Sequence, residues 1–197
     1  MVNLLEECIE LFSSLPGVGK KTASRYVIHL LKNNKKELLR FHELINRAVD
    51  HLSECPVCHA IIGKEECRFC GPQRTLKGSI CIVQDFRDLL AIEQTGKYHG
   101  TYHVLGGLIS PVDGVGPSDL NILTLEQRLK STPFNEIIFA LGTTRESETT
   151  QFYLHRKFLP LVQNFSALPK GISYGIELEF ADEQTLGSAI ENRVPVN

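Results

Sequence analysis

The chain has 197 residues with ordinary hydrophobic (42%) and charged (22%) content, so it is long enough for one large domain or two to three small modules. Its formal net charge of −2 excludes a wholly basic nucleic-acid coat, and any grip on phosphates has to come from a local patch. No apolar stretch approaches the ~18 residues that a membrane span needs, and the acidic start Met1-Val2-Asn3-Leu4-Leu5-Glu6-Glu7 is no signal peptide. The expectation is a cytoplasmic protein whose cysteines stay reduced.

The first elements are two amphipathic helices. Leu5, Cys8, Ile9 and Phe12 recur at helical spacing, and Ala23, Val27, Leu30 and Leu31 do so again. Between them runs Leu15-Pro16-Gly17-Val18-Gly19-Lys20-Lys21-Thr22. Two glycines around one small apolar residue turn the backbone sharply and leave amide N–H groups bare at the start of the second helix. Those donors, and the positive end of the helix dipole, suit a phosphate. Lys20, Lys21 and Arg25 add full charges at the same place, in the pattern of a helix-hairpin-helix element that grips nucleic-acid backbone without reading bases. A nucleotide P-loop fails, because Ser14 stands where its first glycine is needed and Lys21 where Ser or Thr must follow the lysine.

Lys32, Lys35, Lys36 and Arg40 extend the basic character, opposed only by Glu37. Leu38, Phe41, Leu44, Ile45, Ala48, Val49 and Leu52 then form a sustained helical stripe, read as core packing.

Cys55-Pro56-Val57-Cys58 and Cys67-Arg68-Phe69-Cys70 are two C-x-x-C turns separated by eight residues. Each turn aims two thiolates at one point, and two turns complete a tetrahedral four-sulfur shell around zinc. Such a closed shell leaves no open position, so one structural, non-catalytic zinc per chain is expected. His59 follows as a surface residue. Cys8 and Cys81 lie on apolar faces and read as buried core thiols.

Beyond Gly71-Pro72 the pattern alternates strand and helix. Strands are expected at Ile80–Val83, Tyr102–Leu105 and Glu136–Leu141. Helices are expected at Asp88–Glu93, Leu123–Leu129 and through Leu159, which together predict an α/β domain with a parallel sheet. The glycine-rich segment Gly106–Pro117 reads as an extended loop at a strand end, with Asp113 in a turn-forming role.

Hairpin, four-cysteine knuckle and α/β domain in this order resemble the bacterial RecR family. The resemblance is carried by Leu-Pro-Gly-Val-Gly at 15–19, the cysteines at 55, 58, 67 and 70, and Ala-Ile-Glu-Gln-Thr-Gly at 91–96. It continues through Ile-Ser-Pro-Val-Asp-Gly-Val-Gly-Pro at 109–117, Leu-Glu-Gln-Arg-Leu at 125–129 and Gly-Ile-Glu-Leu-Glu at 175–179. It implies an α+β, multi-module chain. A helix-hairpin-helix region would span 1–53, a four-cysteine zinc finger 54–77, a Toprim domain with a mostly parallel sheet 78–170, and a C-terminal strand/helix assembly segment 171–197. It further implies a non-enzymatic, nucleoid-associated recombination mediator that works with RecO, and in many bacteria RecF, to help RecA load on gapped DNA. A ring-like homotetramer is implied as well.

Catalytic Toprim domains hold Mg²⁺ with a Glu after the first strand and an Asp-x-Asp pair after the third. Here Gln84 stands at the first position, with Asp85 beside it, and Gly142 and Thr144 occupy the other two. Glu146 and Glu148 remain, either as favourable acids in a helix's first turn or as partner contacts. Two sites depart from the RecR pattern itself, which has Pro where Lys20 stands and commonly Glu where Gln84 stands. The rival functions are a metal-dependent cleaving or primase-like enzyme using Asp85, Glu146 and Glu148, and a scaffold whose hairpin only packs subunits.

Overall fold

The computed structural model describes residues 2–32, 35–169, 171–172 and 175–195. The outer ends of the last two expected modules, Lys170 and Asn197, lie outside the described residues. The chain divides into two compact units, Met1–Leu52 and Ser53–Asn197.

The first unit is helical: α1 (Val2–Ser13), α2 (Lys20–Lys32) and α3 (Lys35–His51). Helix α1 ends in tightening bonds from Ser14 N–H to the Glu10 carbonyl (3.1 Å) and Leu15 N–H to the Phe12 carbonyl (3.3 Å). The chain then reverses at Gly17, whose φ of 78° lies in the left-handed region that a side chain would strain. Helices α1 and α2 pack together, and only Ala23 and Val27 are fully buried among the unit's described residues.

That small core corrects two expectations. The stripe on α3 is helical, but it is not core: the helix buries no residue, and Phe41 (48% exposed), Leu44 and Val49 face outward. Cys8 is half-buried and not fully enclosed. Periodicity detects an apolar face but not what covers it, and no described residue of the first unit buries this one.

The second unit opens with the hairpin of β1 (Ser53–Glu54) and β2 (Ile61–Ile62), then a single turn of helix, α4 (Pro72–Thr75). There follow β3 (Ser79–Val83), α5 (Phe86–Gln94), β4 (Thr101–Val104), α6 (Ile122–Ser131), β5 (Glu136–Ala140), α7 (Arg145–Phe158) and β6 (Asn164–Ala167). Helix α8 (Glu183–Glu191) closes the chain. The sheet order is β4-β3-β5-β6, all parallel, with Val83 opposite Val104 on one side and Ala140 on the other.

Alternation along these strands builds two layers. Ile80, Ile82, Ile137 and Phe139 point into one core with Leu125 and Leu129 of α6 and Leu154 and Phe158 of α7. Cys81, Val83, Tyr102, Val104 and Ala140 point into the other, with Leu89 of α5 and the four-cysteine turns. Burial of each such aliphatic side chain is worth about 1.5–3 kcal/mol. Burial also pushes the Cys81 thiol up to about 12, as a core thiol requires.

The knuckle is also stitched to the sheet. On β4, the outer strand on that side, Tyr102 N–H donates to the Phe69 carbonyl (3.0 Å) and Val104 N–H to the Cys58 carbonyl (2.9 Å). An exposed strand edge would otherwise present these groups to solvent or another chain. The opposite edge strand, β6, has no counterpart among the expected strands: Asn164-Phe165-Ser166-Ala167 has too little apolar alternation to announce one.

Candidate nucleic-acid interface and metal centre

At the first candidate site, α2 starts at Lys20 directly after Gly19, and its first internal bond runs from Ala23 N–H to the Gly19 carbonyl (2.9 Å). The amides of Lys20, Lys21 and Thr22 therefore precede the helical ladder, and a glycine at the cap position has no side chain to satisfy them. Lys20, Lys21 and Arg25 are all exposed around this end. Open amides, the helix dipole, Lys20 and Lys21 share the exposed start of α2, with Arg25 one turn along from Lys21, and this is the chemistry an anionic backbone needs.

At the second site, Cys55, Cys58, Cys67 and Cys70 converge so that all four sulfurs lie within 4.8 Å of one another. The Cys55–Cys70 and Cys58–Cys67 separations are 3.7 and 3.5 Å. Tetrahedral coordination at a zinc–sulfur distance of about 2.3 Å demands edges of roughly 3.8 Å, so the shell fits that ion with little adjustment. Three of the four side chains are buried and the fourth half-buried. The thiols share protons. Cys70 is pulled down to about 6, chiefly by the hydrogen bond from Cys58, and Cys58 is pushed up by that same bond and by burial. Burial raises Cys67 to about 11.

His59, expected at the surface, is instead mostly enclosed, its side chain 11% exposed. Its φ of 61° turns the ring inward, where Nδ1 meets a Glu54 carboxylate oxygen and Nε2 lies 2.7 Å from the Thr124 hydroxyl. The ring stands edge-on to His103, 5.3 Å between centroids. His103 is itself buried, with its pKa lowered to about 3 by burial, and its Nε2 donates to the Asn121 carbonyl (2.8 Å). Only knowledge of the left-handed backbone at 59 would have revealed this link. Arg128 is a second residue that sequence reasoning missed. It lies on the buried stripe of α6 with Leu125 and Leu129, and a charged residue at an apolar helical position was the available signal.

A third candidate place is the end of β3 and β5. Connections leave these neighbouring strands toward opposite sides of the sheet, making this the crevice where open α/β sheets put ligands. Two residues there cap helices. Asp85 caps α5, accepting from the amides of Arg87 (2.8 Å) and Asp88 (3.2 Å), and the Arg87 guanidinium beside it holds its carboxyl below the usual range. Thr144 caps α7, accepting from Ser147 N–H (3.2 Å). Glu146 is half-buried and Glu148 exposed in the first turn of α7. Among the described residues, the four cysteines are the one group of three or more His, Cys, Asp or Glu side chains placed to share a metal. Asp113 has the turn role read from the sequence. It accepts from the Ser110 hydroxyl (2.6 Å) at the tip of a loop bridged between Ser110 and Val115.

Comparison with known proteins gives a consistent pattern along the chain. The family model described as RecR, helix-hairpin-helix matches residues 5–49, the Toprim domain model matches 78–165, and RecR, C-terminal matches 171–194. A curated relative from Bacteroides thetaiotaomicron, named Recombination protein RecR, is 46% identical over 190 residues, covering 96% of this chain and 93% of its own length. Proteins of the same name from Flavobacterium johnsoniae and Amoebophilus asiaticus are 45% and 43% identical, covering 98% and 97% of this chain and 93% and 96% of theirs.

Proposed function

The chain belongs to the RecR family, and from that premise we propose that it is a recombination-repair protein that holds DNA for partner proteins and performs no chemistry on it. The observation that carries this is the exposed basic start of α2. Lys21 and Arg25 flank open helix amides, and Lys20 completes the patch, inside the segment matched as a helix-hairpin-helix. Support for a non-catalytic role comes from the crevice between β3 and β5. Gly142 and Thr144 carry no charge where paired carboxylates would hold Mg²⁺, and Asp85 is consumed as a helix cap.

One hairpin touches few phosphates, so its affinity is weak and strongly salt-dependent. Repeating it in a homo-oligomer raises avidity without any new interaction. The uncovered apolar face of α3 and the exposed Leu178, Phe180, Ile190 and Val194 at the C-terminal end supply surfaces for such an assembly, a ring of four chains. RecO, and RecF where it is present, are the proposed protein partners in loading RecA, with Glu146 and Glu148 at the start of α7 as acidic contacts. The four cysteines hold one structural zinc ion. Among the described residues no helix is long and apolar enough to cross a membrane, in keeping with a cytoplasmic, nucleoid-associated protein.

The test is fluorescence anisotropy of labelled gapped DNA against native protein and the Lys21→Ala/Arg25→Ala double variant over a salt series. Weakened binding with an intact oligomer is expected. Undiminished binding would remove these residues from the interface. The same protein incubated with DNA and Mg²⁺ or Mn²⁺ should leave the strands whole; cleavage abolished by Glu146→Gln would overturn the non-catalytic role.

A further inference from the structure

Arg128 is buried at 8% exposure, and among the described residues no carboxylate pairs with it. A guanidinium taken out of water without a counter-charge is strongly unfavourable, so a buried arginine points to negative charge nearby. Its surroundings name that charge. Arg128 and Cys70 line one cavity of about 370 Å³ with Pro56, Val57 and Phe134. Nη1 donates to the Tyr102 carbonyl at 2.6 Å, on the strand whose neighbouring amides are bonded to Cys58 and Phe69 of the cysteine turns. The guanidinium carbon sits 5.6 Å from the centre of the Phe134 ring, which closes another side.

Four thiolates on a divalent ion leave a net charge of about −2 on the centre. We propose that Arg128 is the built-in counter-charge of the four-cysteine centre, a positioning residue on α6 whose guanidinium offsets the excess thiolate charge and sets how firmly the metal is held. This rests on the zinc reading given above. Arg128 also ties α6 to the outward carbonyl of β4, the strand whose edge holds the cysteine turns. Loss of a residue behind a metal's ligands commonly costs about 10–100-fold in affinity, and a charge effect of this kind belongs in that range.

The experiment uses the full chain, purified reduced, as native protein and as Arg128→Lys, Arg128→Gln and Arg128→Met. Zinc content is measured by elemental analysis, folding by circular dichroism, and metal retention by the rate of zinc transfer to the chromogenic chelator 4-(2-pyridylazo)resorcinol. The native chain should carry about one zinc, and the neutral variants should surrender theirs about 10–100-fold faster. Arg128→Lys, which keeps a cation but not the planar fork, should retain zinc longer than the neutral variants. Arg128→Met removes charge and desolvation penalty together and carries the comparison where Arg128→Gln does not fold. A native chain without zinc would overturn the metal reading itself. Zinc-loaded native protein with neutral variants that hold the ion as tightly would overturn the counter-charge alone, and so would a Lys variant that loses zinc as fast as they do.

Discussion

The sheet with its cysteine turns and the two ends of the chain are built on opposite principles. Between Cys55 and Phe165 each face of the sheet has a partner: α6 and α7 on one side, α5 and the cysteine turns on the other. The edge of β4 is closed by hydrogen bonds to Cys58 and Phe69. The flanks reverse this. Helix α3 is strongly amphipathic yet buries nothing, and Phe180 (70% exposed) and Ile190 lie open on the C-terminal segment. A closed core in the central region and exposed apolar faces at the ends is the contrast on which the proposed assembly rests.

The largest effect that would break this contrast is expected at the metal. Cys58→Ser should lose the zinc and, with it, the cooperative unfolding transition of the central region, since structural zinc supplies apparent binding energies of about 10–16 kcal/mol. Elemental analysis and thermal denaturation check this; a variant that keeps its transition without metal would mean the sheet stands alone. Next, Leu125→Ala, at a fully buried position, should cost about 2–5 kcal/mol at any protein concentration, whereas Leu44→Ala should cost little in dilute solution and act through association. Denaturation at several protein concentrations separates the two. Equal, concentration-independent losses would erase the distinction between closed centre and open flank.

At the first site, the Lys21→Ala/Arg25→Ala double variant should flatten the dependence of log K on log salt by roughly 0.7–0.9 for each phosphate that is no longer neutralised, with thermal stability unchanged. The smallest effect belongs to the cap of α5. Asp85→Ala should cost about 1 kcal/mol. The folded carboxyl is held below its unfolded range, so this contribution is complete above about pH 4 and fades as pH falls through the depressed value. Native and variant stabilities should therefore converge in acid. A gap that persists there would assign the loss to something other than the carboxylate.

Much of the centre was legible because its signals are local. Two C-x-x-C turns point four sulfurs at one place, and Ile80-Cys81-Ile82-Val83 suits a strand buried on both faces, which β3 is. Lys20, Lys21 and Arg25, proposed as backbone contacts, are exposed. Where legibility failed, the missing information was non-local. The stripe on α3 shows an apolar face but not what covers it. His59 sits left-handed in the tight turn after Cys58, and its partners Thr124 and His103 lie far along the chain. Strand β6 is fixed by pairing with β5, not by its own composition. Arg128 stands on the apolar stripe of α6, a local signal, but the cavity it shares with Cys70 comes only from the packing of α6 on the cysteine turns.

Assembly is the central claim, since weak hairpins become a useful grip only when several are joined. Sedimentation velocity of the native chain across a concentration series, with and without gapped DNA, measures this. The predicted result is a species whose mass is a multiple of the single chain at concentrations where DNA is bound. The mass of one chain at every concentration, with DNA still fully bound, would contradict it.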